Sequence, residues 1–308
     1  MLKICASAPS LKDTLFERPD FLVENGIKVV SEASQADLVV SGTLKNLLKY
    51  ILRFGHSKKY LLWTIEPRFS KHFRPTIIYP FLPTVHVMNI YTGMLSNNYF
   101  FVPRNLENLY FKEVSGFQNK RVVSLMTYQA GAQWNFIYKD VDLDLCNLRT
   151  EIALDGYRRG ILDIYGRNWP DGISLGQSRG GNFQKWQKKK LDILSDYHFN
   201  LCFENTNWPY YCTEKIWDSI QGGCLPIYYG KGNKIYEDFP RNSFLDYSDF
   251  DSPKSLFDYI QKMDIDEFNM RMKLCIQVLD RAIKKRKEKL VWKELSRRTV
   301  EKIWEISR

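Results

Sequence analysis

Long apolar runs are what this 308-residue chain lacks most plainly. No stretch approaches the roughly 20 apolar residues that a membrane-spanning helix needs. The opening segment, MLKICASAPS, is too short in apolar residues to serve as a secretory signal. Metal-ligand spacing is missing as well. The six cysteines (Cys5, Cys146, Cys202, Cys212, Cys224, Cys275) follow no zinc pattern, and most stand beside apolar residues. They read as reduced, buried thiols of a cytoplasmic protein rather than a disulfide framework. The four histidines, His56, His72, His86 and His198, are equally scattered. No internal repeat is visible. Apolar residues at 44% and aromatics at 15% exclude disorder and point to well-packed globular structure.

Balanced charge is lacking only at one end. Of a formal net charge of +10, residues 271–308 supply most, with thirteen Lys or Arg against five Asp or Glu. The preceding 270 residues are close to neutral, so the chain does not present a basic surface throughout. Ile276, Leu279, Ile283 and Leu290 recur at helical spacing in the same segment. It reads as a basic amphipathic helical tail with two expected uses. The apolar stripe packs across the first domain, while Lys284, Lys285, Arg286, Lys287 and Lys289 make peripheral contact with an anionic membrane.

A chain of this length is expected to hold two domains. Apolar runs at 2–6, 27–30, 38–40 and 60–65 read as buried parallel strands. Between them lie helical stretches at 13–25, interrupted at Pro19, and at 43–54, closed by Gly55. A Pro- and aromatic-rich stretch at 68–103 reads as loops. Beyond a polar linker near 114–119 the pattern restarts with a strand at 121–126. A helix near 148–159, a strand at 161–165, a Gly-rich loop and a basic helix follow. The expected domains are 1–116 and 117–270, with the tail at 271–308.

The most informative segment is 197–230, YHFNLCFENTNWPYYCTEKIWDSIQGGCLPIYYG. It reads as a buried strand, a polar and aromatic loop, a helix opened by Thr213 as N-cap, a Gly-Gly turn and a second strand. In an open α/β sheet the loop of such a unit lies outside the carboxyl end of the first strand, where ligands bind. It brings Asn205, Tyr211, Glu214 and Lys215 to that edge. Free N–H groups at a helix start favour an anion, and the lysine beside them points to a phosphate. The carboxylate and tyrosine point to a ribose or sugar, so the local reading is a nucleotide-sugar pocket.

FENTNWPYYCTEK resembles the signature of the α1,3/4-fucosyltransferases, glycosyltransferase family 10, in which FEN and a short spacer precede Y-x-T-E-K. Leu225-Pro226-Ile227 and Gly230 continue the resemblance. NLRTEIALDGYRRGILDIYGRNWP at 147–170 is similar to the upstream block of that family, and KYLLWTIEP at 59–67 to its first-domain strand ending in a glutamate. The resemblance implies an α/β fold of GT-B architecture, with two Rossmann-like domains and an interdomain cleft. It implies an inverting transfer of fucose from GDP-fucose to a glycan hydroxyl, α1,3 or α1,4 in linkage, by a soluble bacterial-type member. Such a protein would be cytoplasmic, at most peripheral on the inner membrane, with no nucleic-acid partner. The alternatives are a GT-B transferase using another GDP-sugar, and a basic membrane- or nucleic-acid-binding protein.

By the same resemblance, Arg149 and Lys215 bind the phosphates, Glu214 the ribose, and Asn205 and Tyr211 make neighbouring donor contacts. Glu66, at the end of an apolar strand, is the candidate general base, where desolvation would raise a carboxylate's pKa. Its context is Ile65-Glu66-Pro67, without the serine common in the family. Glu204 is a competing carboxylate, suited to the donor sugar or to charge at its anomeric carbon. The E-x7-E pattern of retaining GT-B enzymes is absent, since Cys212 lies eight residues after Glu204 and Gly222 eight after Glu214. Two DxD-like stretches, at 140–144 and 249–251, read as solvated turns, so no metal and no cofactor is expected. Trp134, Trp169 and Trp208 fall in loops, and Trp208 is the best placed to stack on a sugar.

Overall fold

The computed structural model describes residues 1–7, 15–69, 74–103, 113–177, 183–287 and 290–308. The chain divides into two compact units, Met1–Ser96 with Lys289–Arg308, and Asn97–Glu288. These bounds differ from the 1–116, 117–270 and 271–308 read from the sequence, chiefly because the end of the chain returns to the first unit.

In the first unit, short apolar runs form β1 (Leu2–Ala6), β2 (Ile27–Val29), β3 (Leu38–Ser41) and β4 (Lys59–Thr64). Two further strands, β5 (Thr76–Ile77) and β6 (Val85–Asn89), lie within the stretch expected to be loops. Pro80 and Pro83 hide β6 in the sequence, yet Val85 and Val87 are buried as a sheet requires. The order is β2-β1-β3-β4-β6-β5, parallel except for the antiparallel edge strand β5. Every residue of β3 is buried, which is why it reads as a continuous apolar run. Helix α1 (Pro19–Glu24) begins at the proline expected to interrupt it, because a first-turn N–H has no helical partner to lose. Residues 13–14 of that stretch lie outside the described residues. Helix α2 (Leu44–Phe54) starts where Thr43 Oγ1 accepts from the Asn46 N–H at 3.4 Å, and ends at Gly55, whose φ of 51° suits glycine.

The second unit carries β7 (Val122–Leu125), a small hairpin of β8 (Ile137–Tyr138) and β9 (Val141–Asp142), α3 (Cys146–Arg158) and β10 (Leu162–Tyr165). Then come α4 (Phe183–Leu194), β11 (Phe199–Leu201), α5 (Glu214–Gln221), β12 (Leu225–Tyr228) and β13 (Leu245–Asp246). The five main strands are parallel in the order β10-β7-β11-β12-β13. Gly222 lets α5 close against α4, since a Cβ there would stand 2.5 Å from Leu194 Cβ. Helices α6 (Pro253–Lys262) and α7 (Ile265–Lys287) complete the unit. Both units are thus α/β, each built on a largely parallel sheet.

The basic tail is not one segment. Ile276, Leu279 and Ile283 of α7 belong to the core of the second unit, not to the surface of the first. Packing on the first unit is done by the last helix, Leu290–Ser307, through Leu295, Thr299, Ile303 and Ile306. Trp63 Nε1 donates to Thr299 Oγ1 at 3.1 Å, Trp304 Nε1 to the Asn25 carbonyl at 3.1 Å, and Lys59 Nζ to the Ile306 carbonyl at 2.6 Å. Of the basic cluster, Lys284 is exposed, Lys285 lies 3.4 Å from Asp238 Oδ1, and Arg286 donates to the Val102 carbonyl. The Lys287 side chain and Lys289 lie outside the described residues. Among those described, no helix is long and apolar enough to cross a membrane.

Replacing Thr299 by the isosteric valine leaves the buried Trp63 N–H without an acceptor. The expected loss is about 1–3 kcal/mol, read as a lower urea midpoint with an unchanged slope.

Candidate functional site

In the second unit the chain leaves β7 for α3 and β10 on one side, and leaves β11 for α5 and β12 on the other. The strand order reverses between β7 and β11, and such a switch point opens a crevice at the carboxyl ends of the strands. Arg149, on α3, reaches across it. The side chain is buried; Nη1 donates to the Phe203 carbonyl beyond β11 at 3.2 Å, and Nη2 to Gln129 Oε1 beyond β7. Nε is buried with no hydrogen-bond partner. Among the described residues no carboxylate pairs with Arg149.

Lys215 is the second cation. Its Nζ lies 2.7 Å from Glu204 Oε2 and 2.7 Å from Thr213 Oγ1, and its side chain is 22% exposed. Burial pulls the ammonium pKa down, but Glu204 first and Glu214 next outweigh it, and the pKa is pushed up to about 12. Arg149 is near enough to oppose that shift. Glu204, 2% exposed, also accepts from the Thr213 N–H at 2.7 Å and from the Thr213 hydroxyl at 2.8 Å. Thr213 therefore does not cap α5 with its side chain, because the hydroxyl is spent on the buried carboxylate. An anion does sit at that helix start, and it is the protein's own. Lys215 thus faces two carboxylates, Glu204 and Glu214, whereas Arg149 pairs with none among the described residues.

Residues 161–273 match the family model described as "Glycosyltransferase family 10 (fucosyltransferase) C-term". This segment, a little over a third of the chain, is similar to the carboxyl-terminal part of glycosyltransferase family 10. Over 82 residues it is 39% identical to the human 4-galactosyl-N-acetylglucosaminide 3-alpha-L-fucosyltransferase, covering 26% of this chain and 23% of that protein. Over 78 residues it is 40% identical to the human 3-galactosyl-N-acetylglucosaminide 4-alpha-L-fucosyltransferase, covering 25% and 22%. The matched stretch thus spans about a quarter of these curated relatives. A crystal structure of an α1,3-fucosyltransferase with GDP-fucose aligns with 88% of this chain and 81% of its own at 18% identity, with a TM-score of 0.46.

The family 10 segment holds β11, the signature loop, α5 and β12; Arg149 and Gln129 precede it, and Glu66 lies in the other unit. Tyr211 is 2% exposed, and its carbonyl accepts from the Tyr228 hydroxyl at 3.4 Å, so its ring is part of the wall. The Asn205 carbonyl accepts from the Leu145 N–H at 3.2 Å, joining the loop to the start of α3. Glu214 stays 30% exposed, 3.9 Å from Lys190 Nζ. Lys190 is itself buried against Asp218, whose other oxygen accepts from Gln187 Nε2 at 2.8 Å. Lys190, Asp218 and Gln129 were not singled out from sequence. The four-residue step from Glu214 to Asp218, which puts two carboxylates on one face of α5, was the available signal for the first two.

Glu66 follows β4 at the carboxyl edge of the first sheet, partly exposed, its N–H donating to Thr64 Oγ1 at 3.1 Å. Trp169 is buried and its Nε1 donates to the Met126 carbonyl, so it packs rather than binds. Trp208 stands 5.7 Å from the Tyr138 ring of the hairpin. In the first DxD-like stretch Asp140 takes the hairpin turn at φ 61°, while Asp144 accepts from the Cys146 and Asn147 N–H groups at 3.0 Å and so caps α3. Asp142 and Asp144 also line a cavity of about 550 Å³ with Glu151, Asn135, Asn207 and Tyr229. Among the described residues no cation lines it. Asp249 and Asp251 are exposed, and no group of three metal-ligating side chains forms among the described residues.

Glu204→Gln leaves Lys215 mostly buried without its carboxylate. About 3 kcal/mol of stability should be lost, the low end of the range for breaking a buried pair, because Lys215 keeps some exposure. The pH dependence follows from the raised pKa. Lys215 contributes fully below its ordinary value of 10.5, and that contribution is lost as the pH climbs through about 12. The stability difference between wild type and Lys215→Met should therefore be flat near neutrality and shrink only above about pH 10.5.

Proposed function

We propose that this chain transfers fucose from GDP-fucose to a hydroxyl of an oligosaccharide, with inversion at the anomeric carbon. The unmatched positive charge of Arg149 beside Lys215, at the switch point of the second sheet, carries the reading. A departing diphosphate gains negative charge in the transition state, and fixed cations in a partly desolvated crevice stabilise it without reorganising. Glu214, partly exposed at the start of α5, holds the ribose, while Asn205 and Tyr211 shape the donor pocket.

In this reading Glu66 takes the proton of the acceptor hydroxyl. The oxygen attacks the anomeric carbon from the face opposite the diphosphate, the bond to the diphosphate breaks, and GDP carries the electron pair away against Arg149 and Lys215. Glu204 ties Lys215 down rather than touching the sugar, because its oxygens serve Thr213 and Lys215. No metal is required, since the charge compensation comes from the two cations. The curated relatives are named for transfer to galactosyl-N-acetylglucosaminides, which makes β-galactosyl-N-acetylglucosamine the first acceptor to try. A different GDP-sugar remains the alternative. A basic protein acting only through its tail would leave the charged crevice without purpose.

Calorimetry with GDP and transfer assays over several GDP-sugars test this. Arg149→Ala and Lys215→Ala should each weaken GDP binding by about tenfold or more, as loss of a charged hydrogen bond does. Glu66→Gln should abolish transfer yet keep GDP affinity close to wild type; near-normal turnover would move the base elsewhere. Activity should survive EDTA, and a complete loss restored by manganese would contradict the metal-free mechanism.

A further inference from the structure

We propose that Gln129 is a positioning residue that aims the Arg149 guanidinium at the crevice while leaving its charge uncancelled. The proposal rests on the donor reading above. A buried arginine is ordinarily held by a carboxylate, whose planar geometry matches the guanidinium fork but neutralises it. Arg149 is held instead by two neutral acceptors, the Gln129 side-chain amide and the Phe203 backbone carbonyl. The contrast with Lys215 is direct, since that ammonium sits on Glu204. Arg149 is therefore the cation of this switch point whose charge its own partners leave uncancelled.

Gln129 is itself fixed from the same helix face. Its Oε1 also accepts from Cys146 Sγ at 3.2 Å, and its backbone carbonyl accepts from Thr150 Oγ1 at 3.0 Å. Cys146, Arg149 and Thr150 are three and four residues apart on α3, so they project together and clasp one residue of the β7 loop. The loop is anchored just before, where the Tyr128 N–H donates to the Arg167 carbonyl at 2.9 Å. Nη1 and Nη2 each spend one N–H on these acceptors and keep a second, and the Nε N–H is buried without a partner.

Gln129→Glu separates this role from a merely structural one, because it keeps the shape and adds the cancelling charge. Thermal unfolding should show a midpoint equal to or above wild type, as the new carboxylate pairs with Arg149. GDP affinity by calorimetry should nevertheless fall by about tenfold or more. An affinity equal to wild type in that folded variant would overturn the proposal. Gln129→Met, which removes the acceptor without adding charge, gives a second arm should the glutamate variant fail to fold. It should also weaken GDP binding, and unchanged affinity there would overturn the proposal as well. Absence of GDP binding by the wild type would instead refute the donor reading itself.

Discussion

The carboxylate of Glu204 ties the end of β11, the start of α5 and the cation of the signature to one another. Buried in a low-dielectric surrounding, an ionised carboxylate needs all its acceptor capacity filled, and here the Thr213 amide and hydroxyl and the Lys215 ammonium supply the donors. The loop from 205 to 212 is thereby closed at its base, and the first turn of α5 is set relative to the sheet. Lys215 is tethered rather than free to follow solvent. The neighbouring buried pair, Lys190 with Asp218, joins α4 to the same helix and leaves Glu214 at its exposed edge.

Against this ordered background the treatment of the two cations differs. One is matched by an acid, the other by neutral oxygens, and both stand where the strand order reverses. An open crevice between diverging loops is a topological property of the sheet. Its selectivity for an anion is a property of a few side chains. The cavity lined by Asp142, Asp144 and Glu151 shows the opposite choice within the same unit, so the unit keeps positive and negative surroundings apart.

The strand–helix–strand unit at 197–230 was legible because its buried runs are uninterrupted and its turn is marked by glycines. The positions of Arg149 and Lys215 followed from local motifs. Gln129, Lys190 and Asp218 were not legible as partners, since their contacts join elements 20–28 residues apart whose packing no local pattern encodes. Thr213 looked like an N-cap by a local rule, and a buried carboxylate nine residues earlier overrode that rule. The strand β6 was masked by flanking prolines. The tail misled differently: its apolar stripe continues in sequence while the chain passes from one unit to the other.

That passage has a consequence for synthesis. The first unit is made of two separate segments, with the second unit inserted between Ser96 and Lys289. A ribosome delivers all the strands of the first sheet early, but the helix that covers Trp63 emerges only after the second unit. Until it emerges, the nascent sheet carries an uncovered apolar face, whereas the inserted unit is already complete in sequence and able to fold as a body. The middle of the chain is therefore complete in sequence before the unit whose strands were made first.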